Sequence, residues 1–438
     1  MKWLLPFAAL LLLSAAPITC APLTEDWGLD AIRTMPTPPD PPLQCDVAIP
    51  ADSKAAARSA CAFGQAATAA TTLGIDGPTA RQFPIRHVIV MMKENRSFDH
   101  LLGESFGEPP TFSNPDLSGN AVLAFHLPTT CVADDPDHQA VAMTQGLAGG
   151  AMTGFVASAA ASTGTDGHFV MGHYAPTDLP FYFWLASTYA LSDRHFASMA
   201  SGTFANRNFL LFGSNAGVVD TGVTYPDPAT PSVMQLLMNA GFTWAAYTDS
   251  APMSGALNWG PTTPGVHPYQ ALLDALDQGT LPNVAFVDGV DSVTDDHPTA
   301  DLQAGEAWSR ELYRHAVASP QWSRLAILWT YDEGGGFADH VPPPSSCPAA
   351  PAGSPYSQLG PRVPLVAISR WAKPHYVSHV AHDHTAITRF IEALFDLPAL
   401  TARDANSDAL LDLFDFSCAQ PTNAPPGAPD AGTGGCTP

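Results

Sequence analysis

Two apolar runs of the chain stop on oxygen-rich residues. Arg86–Met92 (RHVIVMM) passes into Lys93, Glu94 and Asn95, and Leu325–Tyr331 (LAILWTY) passes into Asp332, Glu333 and the glycines Gly334, Gly335 and Gly336. Such short apolar runs read as strands buried in a parallel sheet. In open α/β sheets, ligands bind beyond the carboxyl ends of the strands. If both runs share one sheet, Glu94, Asp332 and Glu333 converge there. Three gathered carboxylates repel and are costly to desolvate unless a cation or shared protons offset them. The arrangement therefore predicts a bound divalent metal ion, and with it an enzyme. Oxygen ligands favour Mg, Ca or Mn, and Zn is also compatible, so the ion's identity stays open. Asn95 adds an amide whose oxygen suits a metal and whose nitrogen suits a phosphate.

Other elements must hold these residues in place. Asn283–Val287 (NVAFV) and Val363–Ser369 (VPLVAIS) are further strand candidates. Ser232–Gly241 and Asp301–Ser319 read as helices. The clearest helix is His384–Asp396, where Ala386, Ile387, Phe390, Ile391, Leu394 and Phe395 recur at helical spacing. Ser97 or Asp99 is placed to cap a helix after the first strand. Strands alternating with helices predict an α/β fold with a parallel or mixed sheet. Residues 21–83, rich in Pro, Ala and Thr, read as an irregular wrap clipped by Cys45 and Cys61. Residues 417–438 read as a low-complexity tail, mobile from Gln420 onward.

Composition narrows the function. Net charge is −23 with only 18 Lys and Arg. Nucleic-acid affinity rests on basic residues that neutralise phosphates, so that class is excluded. Met1 and Lys2 followed by apolar Trp3–Ala16 read as an export signal over residues 1–20, with lipidation at Cys20 as a variant of it. The expected location is secreted or periplasmic. Without Cys20, six of the seven cysteines remain, an even set that suggests up to three disulfides of open connectivity. No two-residue cysteine spacing indicates a thiolate metal site. The three glycines lack the Lys-Ser/Thr ending of a nucleotide-binding loop, and no G-x-S-x-G elbow marks a serine hydrolase. Met91, Met92, Phe181, Tyr182, Phe183 and Trp184 read as core rather than as a lipid pocket.

Five blocks carry a resemblance. They are Val90–Gly103 (VMMKENRSFDHLLG), Asp193–Gly213 (DRHFASMASGTFANRNFLLFG), Asp295–Pro298 (DDHP) with Asp301 and Gly305, Thr330–Pro344 (TYDEGGGFADHVPPP) and Gly360–Glu392. Their strings and order resemble the bacterial phosphoesterase family that includes phospholipases C and related acid phosphatases. The resemblance spans about residues 84–416, taken as the catalytic domain. Departures are Ala205 where the family often has Pro, Asp296 where it has Glu, and Gly334 where it frequently has His. The last alters the pocket wall and weakens any transfer of substrate preference.

The resemblance implies an alkaline-phosphatase-like α/β fold, with a central, mostly parallel sheet flanked by helices on both faces. It implies an exported phosphoric-ester hydrolase. The expected reaction is that of a phospholipase C, which cleaves phospholipids to diacylglycerol and a phospho-alcohol through a phosphothreonine. Thr203, followed by Asn206 and Arg207, falls at the nucleophile. Glu94, Asn95, Thr203, Asp332 and Glu333 fall at the metal. His138 (in DDPDHQA), His267 (in GVHPY) and His297 are expected at the phosphate together with Asn95, and His297 is expected to protonate the leaving oxygen. His340, His384, Asn206 and Arg207 are expected to orient these groups. An acid phosphatase acting on monoesters is the alternative, and a non-catalytic surface binding protein is the remote one. Expected partners are a phospholipid or small phosphate ester and transient contact with a membrane surface, with no protein partner.

Overall fold

The two strands named first are neighbours in one sheet. In chain order the sheet comprises β1 (His87–Lys93), β2 (Ala190–Ser192), β3 (Trp244–Tyr247), β4 (Val266–His267), β5 (Val284–Val287), β6 (Leu325–Tyr331), β7 (Leu365–Ile368) and β8 (Tyr376–Ser378). The computed structural model describes residues 40 and 42–436, apart from 108, 110, 221–226, 228, 251–264 and 348–357. The proposed signal segment and Cys20 lie outside the described residues. The spatial order is β8-β2-β7-β6-β1-β5-β3-β4. Only β7 runs antiparallel to its neighbours, β6 and β2. The result is the expected mostly parallel sheet flanked by helices.

Both central strands are buried along their whole length, which is why their sequences are continuously apolar rather than alternating. Val88, Val90, Leu328 and Trp329 are fully enclosed. Burial of each such side chain contributes roughly 1.5–3 kcal/mol. Register pairs Lys93 with Tyr331, so Glu94 and Asp332 leave the sheet side by side.

The flanking helices include α1 (Phe98–Phe106), α2 (Pro180–Thr188), α3 (Thr203–Phe212), α4 (Leu302–Ala318) and α5 (His384–Phe395). Ser97 caps α1 by accepting from the His100 amide at 3.2 Å, while Asp301 and Asp383 cap α4 and α5. The helix expected near Ser232–Gly241 is Val233–Asn239, with Ser232 as its cap. The aromatic run Phe181–Phe183 and both methionines are core, as expected.

Two expectations about the ends of the chain are corrected. Cys45 and Cys61 do not clip the N-terminal wrap to itself. Cys45 bonds Cys418, Cys61 bonds Cys347, and Cys131 bonds Cys436. The wrap also contains short helices at Ala55–Ser59, Ala69–Thr72 and Gly77–Ala80. The tail, expected to be mobile, lies along α4. Gly432 and Gly435 donate backbone N–H bonds to Glu306 and Gln303 at 2.7 and 2.9 Å, and Arg310 pairs with Asp430 at 2.7 Å. Low complexity did not prevent order because the backbone found acceptors and Cys436 a partner.

Candidate active site

The acidic residues are held by the backbone that leaves β1 and β6. The Asp332 amide donates to the Lys93 carbonyl at 3.0 Å, and the Asn95 amide donates to Asp332 Oδ1 at 3.0 Å. Asn95 has φ of +61°, a left-handed conformation that Asn tolerates better than most residues. Opposite it lies the glycine turn. Gly335 has φ of +62°, and a Cβ there would stand 2.1 Å from the Asn95 carbonyl oxygen. The glycines thus permit two backbone segments to touch beneath the carboxylates.

Thr203 opens α3, with Gly202 as its N-cap. Asn206 fixes the preceding turn, donating to the carbonyls of Ser201 and Gly202 and accepting from the Met199 amide. Thr203 Oγ1 donates to Glu94 Oε2 at 3.1 Å. The hydroxyl therefore sits at the positive end of a ten-residue helix, where an anion is favoured.

Arg207, one turn further, reaches the same acids. It contacts Glu94 Oε1 at 2.6 Å, Asp288 Oδ1 at 2.5 Å and Asp332 Oδ2 at 3.5 Å. This is a closer role than the orienting one expected of it. One guanidinium faces Glu94, Asp288 and Asp332. Burial, reinforced by Asp332 and opposed by Arg207, pushes the Glu94 carboxyl up to about 8. Burial likewise raises Asp332, and it raises Glu333 well above the ordinary range.

Unsatisfied oxygens test whether this centre suits a cation. Asp332 Oδ2 is buried without a hydrogen bond. The Asn95 amide oxygen faces Glu333 Oε1 at 2.7 Å and Glu94 Oε2 at 3.1 Å, three oxygens drawn together whose carboxyls hold protons unless a cation replaces them. Turning the amide over would instead point its nitrogen at these acids and its oxygen at His297 and His138. A divalent cation satisfies the oxygens without that rotation, and an all-oxygen donor set suits a hard ion. The donor set of Glu94, Asn95, Thr203, Asp332 and Glu333 therefore fits a metal. One oxygen each from Glu94, Asp332 and Glu333 do not all fall within 4.8 Å of one another. The Asn95 amide oxygen lies between Glu94 and Glu333, and Thr203 Oγ1 adjoins Glu94.

Two histidines close the other side. His138 and His297 Nε2 lie 3.2 and 3.0 Å from the Asn95 amide, and their rings stand 6.0 Å apart. Each is aimed by the same device: Nδ1 bonds a nearby proline carbonyl, Pro136 at 2.8 Å for His138 and Pro298 for His297. With Nδ1–H donating, Nε2 faces the cleft.

The loop carrying His297 is anchored from below. Lys93, fully buried at the end of β1, pairs with Asp296 at 3.0 Å and donates to the Tyr182 hydroxyl at 2.7 Å. Tyr182 and Tyr331 both donate to Asp296 Oδ2. A Cβ on Gly305 would fall 1.7 Å from Asp296 Oδ1, so the glycine makes room for the pair. Asp295 accepts from the His297 amide at 3.0 Å, and burial and Glu94 push its carboxyl up to about 7.

The remaining expected residues lie as follows. His384 Nε2 bonds the Asp332 carbonyl at 2.6 Å, directly behind a candidate ligand. His340 bonds Asp99, which with Asp339 also holds Arg362. That network ties α1 to the segment after the glycine turn. His267 is not brought to the cluster. It lies on β4, three strands from β1, roughly 14 Å across the sheet at the usual strand spacing. Its exposed ring lies beside Tyr247. Asp288, Lys93 and Asp296 were not anticipated in these roles. Asp288 had a signal, since it ends NVAFV as Asp332 ends LAILWTY.

The family model described as "Phosphoesterase family" matches residues 85–398. Non-specific phospholipase C1 of Arabidopsis thaliana is 31% identical over 75% of this chain and 70% of its own length. Non-specific phospholipase C3 of the same plant is 29% identical over 73% and 72%. Phospholipase C A of Mycobacterium tuberculosis is 27% identical over 76% and 78%. A solved protein of the alkaline phosphatase superfamily from Vibrio parahaemolyticus covers 74% of this chain and 69% of its own at 8% identity, with a TM-score of 0.37. That likeness is too loose to add to the sheet topology. The chain belongs to the phosphoesterase family and is a phosphoric ester hydrolase.

Proposed function

We propose that the enzyme is an exported phospholipase C that works through a phosphothreonine. The observation that carries this reading is Thr203 Oγ1 at the start of α3, bonded to Glu94 and facing the Asn95–His138–His297 cluster. The phosphate lies over the helix N-terminus, its oxygens bound by His138 and the Asn95 amide. Thr203 Oγ1 attacks phosphorus while the bond to the glycerol oxygen breaks, and Glu94 takes the hydroxyl proton. His297, in its imidazolium form, gives its Nε2 proton to the leaving alkoxide. Neutral His297 then draws a proton from water as that water attacks phosphorus, and Glu94 returns its proton to Thr203 Oγ1 as the phosphothreonine bond breaks. A divalent ion held by Glu94, Asn95, Thr203, Asp332 and Glu333 would lower the proton affinity of the hydroxyl and offset the negative charge.

Export is supported by three disulfides, which persist in oxidising compartments. Passing contact with a lipid surface is supported by Leu117, Leu123 and Phe125, apolar side chains exposed along residues 117–125. The names of the relatives favour phospholipids over monoesters.

The test is a side-by-side assay of phosphatidylcholine and p-nitrophenyl phosphate across pH. The diester should be the better substrate, and a clear preference for the monoester would make the enzyme an acid phosphatase. Thr203→Ala should abolish turnover in a folded protein, whereas near-normal turnover would remove Thr203 from the mechanism. Asp332→Asn should lower bound metal and rate together.

A further inference from the structure

A second set of side chains in this chain has the construction of a metal centre. His382 follows β8, and Asp408 and Asp412 lie in the segment beyond α5. One ligand atom from each falls within 4.8 Å of the other two. His382 Nε2 is 3.4 Å from Asp408 Oδ1 and 3.7 Å from Asp412 Oδ1. The His382 side chain is fully buried, yet Nε2 has no hydrogen bond, and neither has the buried Asp412 Oδ1.

The opposite atom of each residue is occupied. His382 Nδ1 lies 3.2 Å from Ser192 Oγ, Asp412 Oδ2 accepts from Ser378 Oγ, and Asp408 Oδ2 faces Arg58 at 3.3 Å. Ser192 and Ser378 are register partners on β2 and β8, so one rung of the sheet orients both an imidazole and a carboxylate. Outer contacts of this kind aim metal ligands. A neutral His382 donating from Nδ1 to Ser192 presents the Nε2 lone pair to the same point as the two carboxylates. Asp408 and Asp412 are 22% and 24% exposed, which leaves a way in from solvent. All three residues line a cavity of about 1110 Å³, to which Glu94, Asn95, Thr203 and Asp332 do not contribute.

We propose that His382, Asp408 and Asp412 bind a divalent cation at a site separate from the strand ends. One imidazole with two carboxylates suits zinc or manganese better than magnesium or calcium. Such an ion would tie His382 to the 408–412 segment, and through the Arg58 contact of Asp408 to the N-terminal wrap.

The experiment uses the full protein, stripped by chelator and reloaded with zinc alone or manganese alone. Crystals of the loaded wild type should give an anomalous peak bounded by His382 Nε2 and the two carboxylates. By elemental analysis, Asp412→Asn and His382→Gln should each hold about one zinc fewer per chain than wild type, with circular dichroism confirming that both fold. Absence of the peak under both metals, or variants holding as much metal as wild type, overturns the proposal and leaves His382 as a buried ring packed beside two acids. Asp332→Asn, measured alongside, reports only on the ion at the strand ends, so failure of either reading is distinguishable from failure of the other.

Discussion

Without Arg207, Glu94, Asp288 and Asp332 would share a buried space with no guanidinium. Breaking a buried ion pair by removing one partner commonly costs about 3–5 kcal/mol. Arg207→Met should therefore lower unfolding stability by an amount on that order in urea titration of metal-free protein. It should also lower turnover, because Glu94 Oε1 loses the contact that turns Oε2 toward Thr203. A stability change under about 1 kcal/mol would mean that the acids are protonated and make little use of Arg207. At this scale the sequence was legible where a residue follows a strand or falls within a matching block. Glu94, Asp332, Glu333 and Thr203 were singled out in that way, and the fold brings Thr203 Oγ1 to 3.1 Å from Glu94. The GVHPY string offered His267 as the third phosphate histidine, after His138 and His297, but its strand lies at the far edge of the sheet. A His-Pro pair in sequence says nothing about lateral distance.

The glycine turn after β6 shows what an element must supply beyond its side chains. Asn95 and Gly335 are both in left-handed conformations, and their backbones approach too closely for a Cβ. Gly335→Ala should push Asn95 out of position, adding backbone strain of about 1 kcal/mol or more and a clash. The expected result is turnover lowered at least tenfold with a modest loss of thermal stability, measured as kcat and Tm on the same preparation. Unchanged kcat would show that the two turns move independently. The long strands and α5 were readable because continuous apolar runs and helical spacing leave no competing pattern. Trp244–Tyr247, Val266–His267 and Tyr376–Ser378 were not, since runs of two to four residues carry no usable period. Cysteine pairing was unreadable for a related reason. Each bond joins residues about 290 to 370 positions apart, and only the completed fold brings them together.

Across the whole molecule, acidity and burial act together on stability. Glu94 is raised to about 8, and Asp295 and Glu306 to about 7, in each case mainly by burial. Glu306 stays high even though it accepts from the amides of Phe181, Tyr182 and Gly432. An acid whose folded pKa exceeds its unfolded value holds a proton in the native state that the unfolded chain has already released. Its contribution to stability is complete below the unfolded pKa, near 4, and is lost as pH climbs through 7 to 8. A net charge of −23 adds self-repulsion in the same direction. Chelator-treated protein should therefore lose stability between pH 5 and 8, with a slope of about 1.4 kcal/mol per pH unit for each acid that stays protonated only in the native state. A divalent cation at the strand ends would displace the protons on Glu94 and its neighbours and stabilise their charged forms, so metal-loaded protein should show a flatter profile and a higher Tm at pH 8. Differential scanning calorimetry of both forms across that range checks the sign directly. Stability of the metal-free form that rises toward pH 8 would mean that the strand-end acids are already ionised, with Arg207 and the surrounding N–H donors sufficient to hold them so.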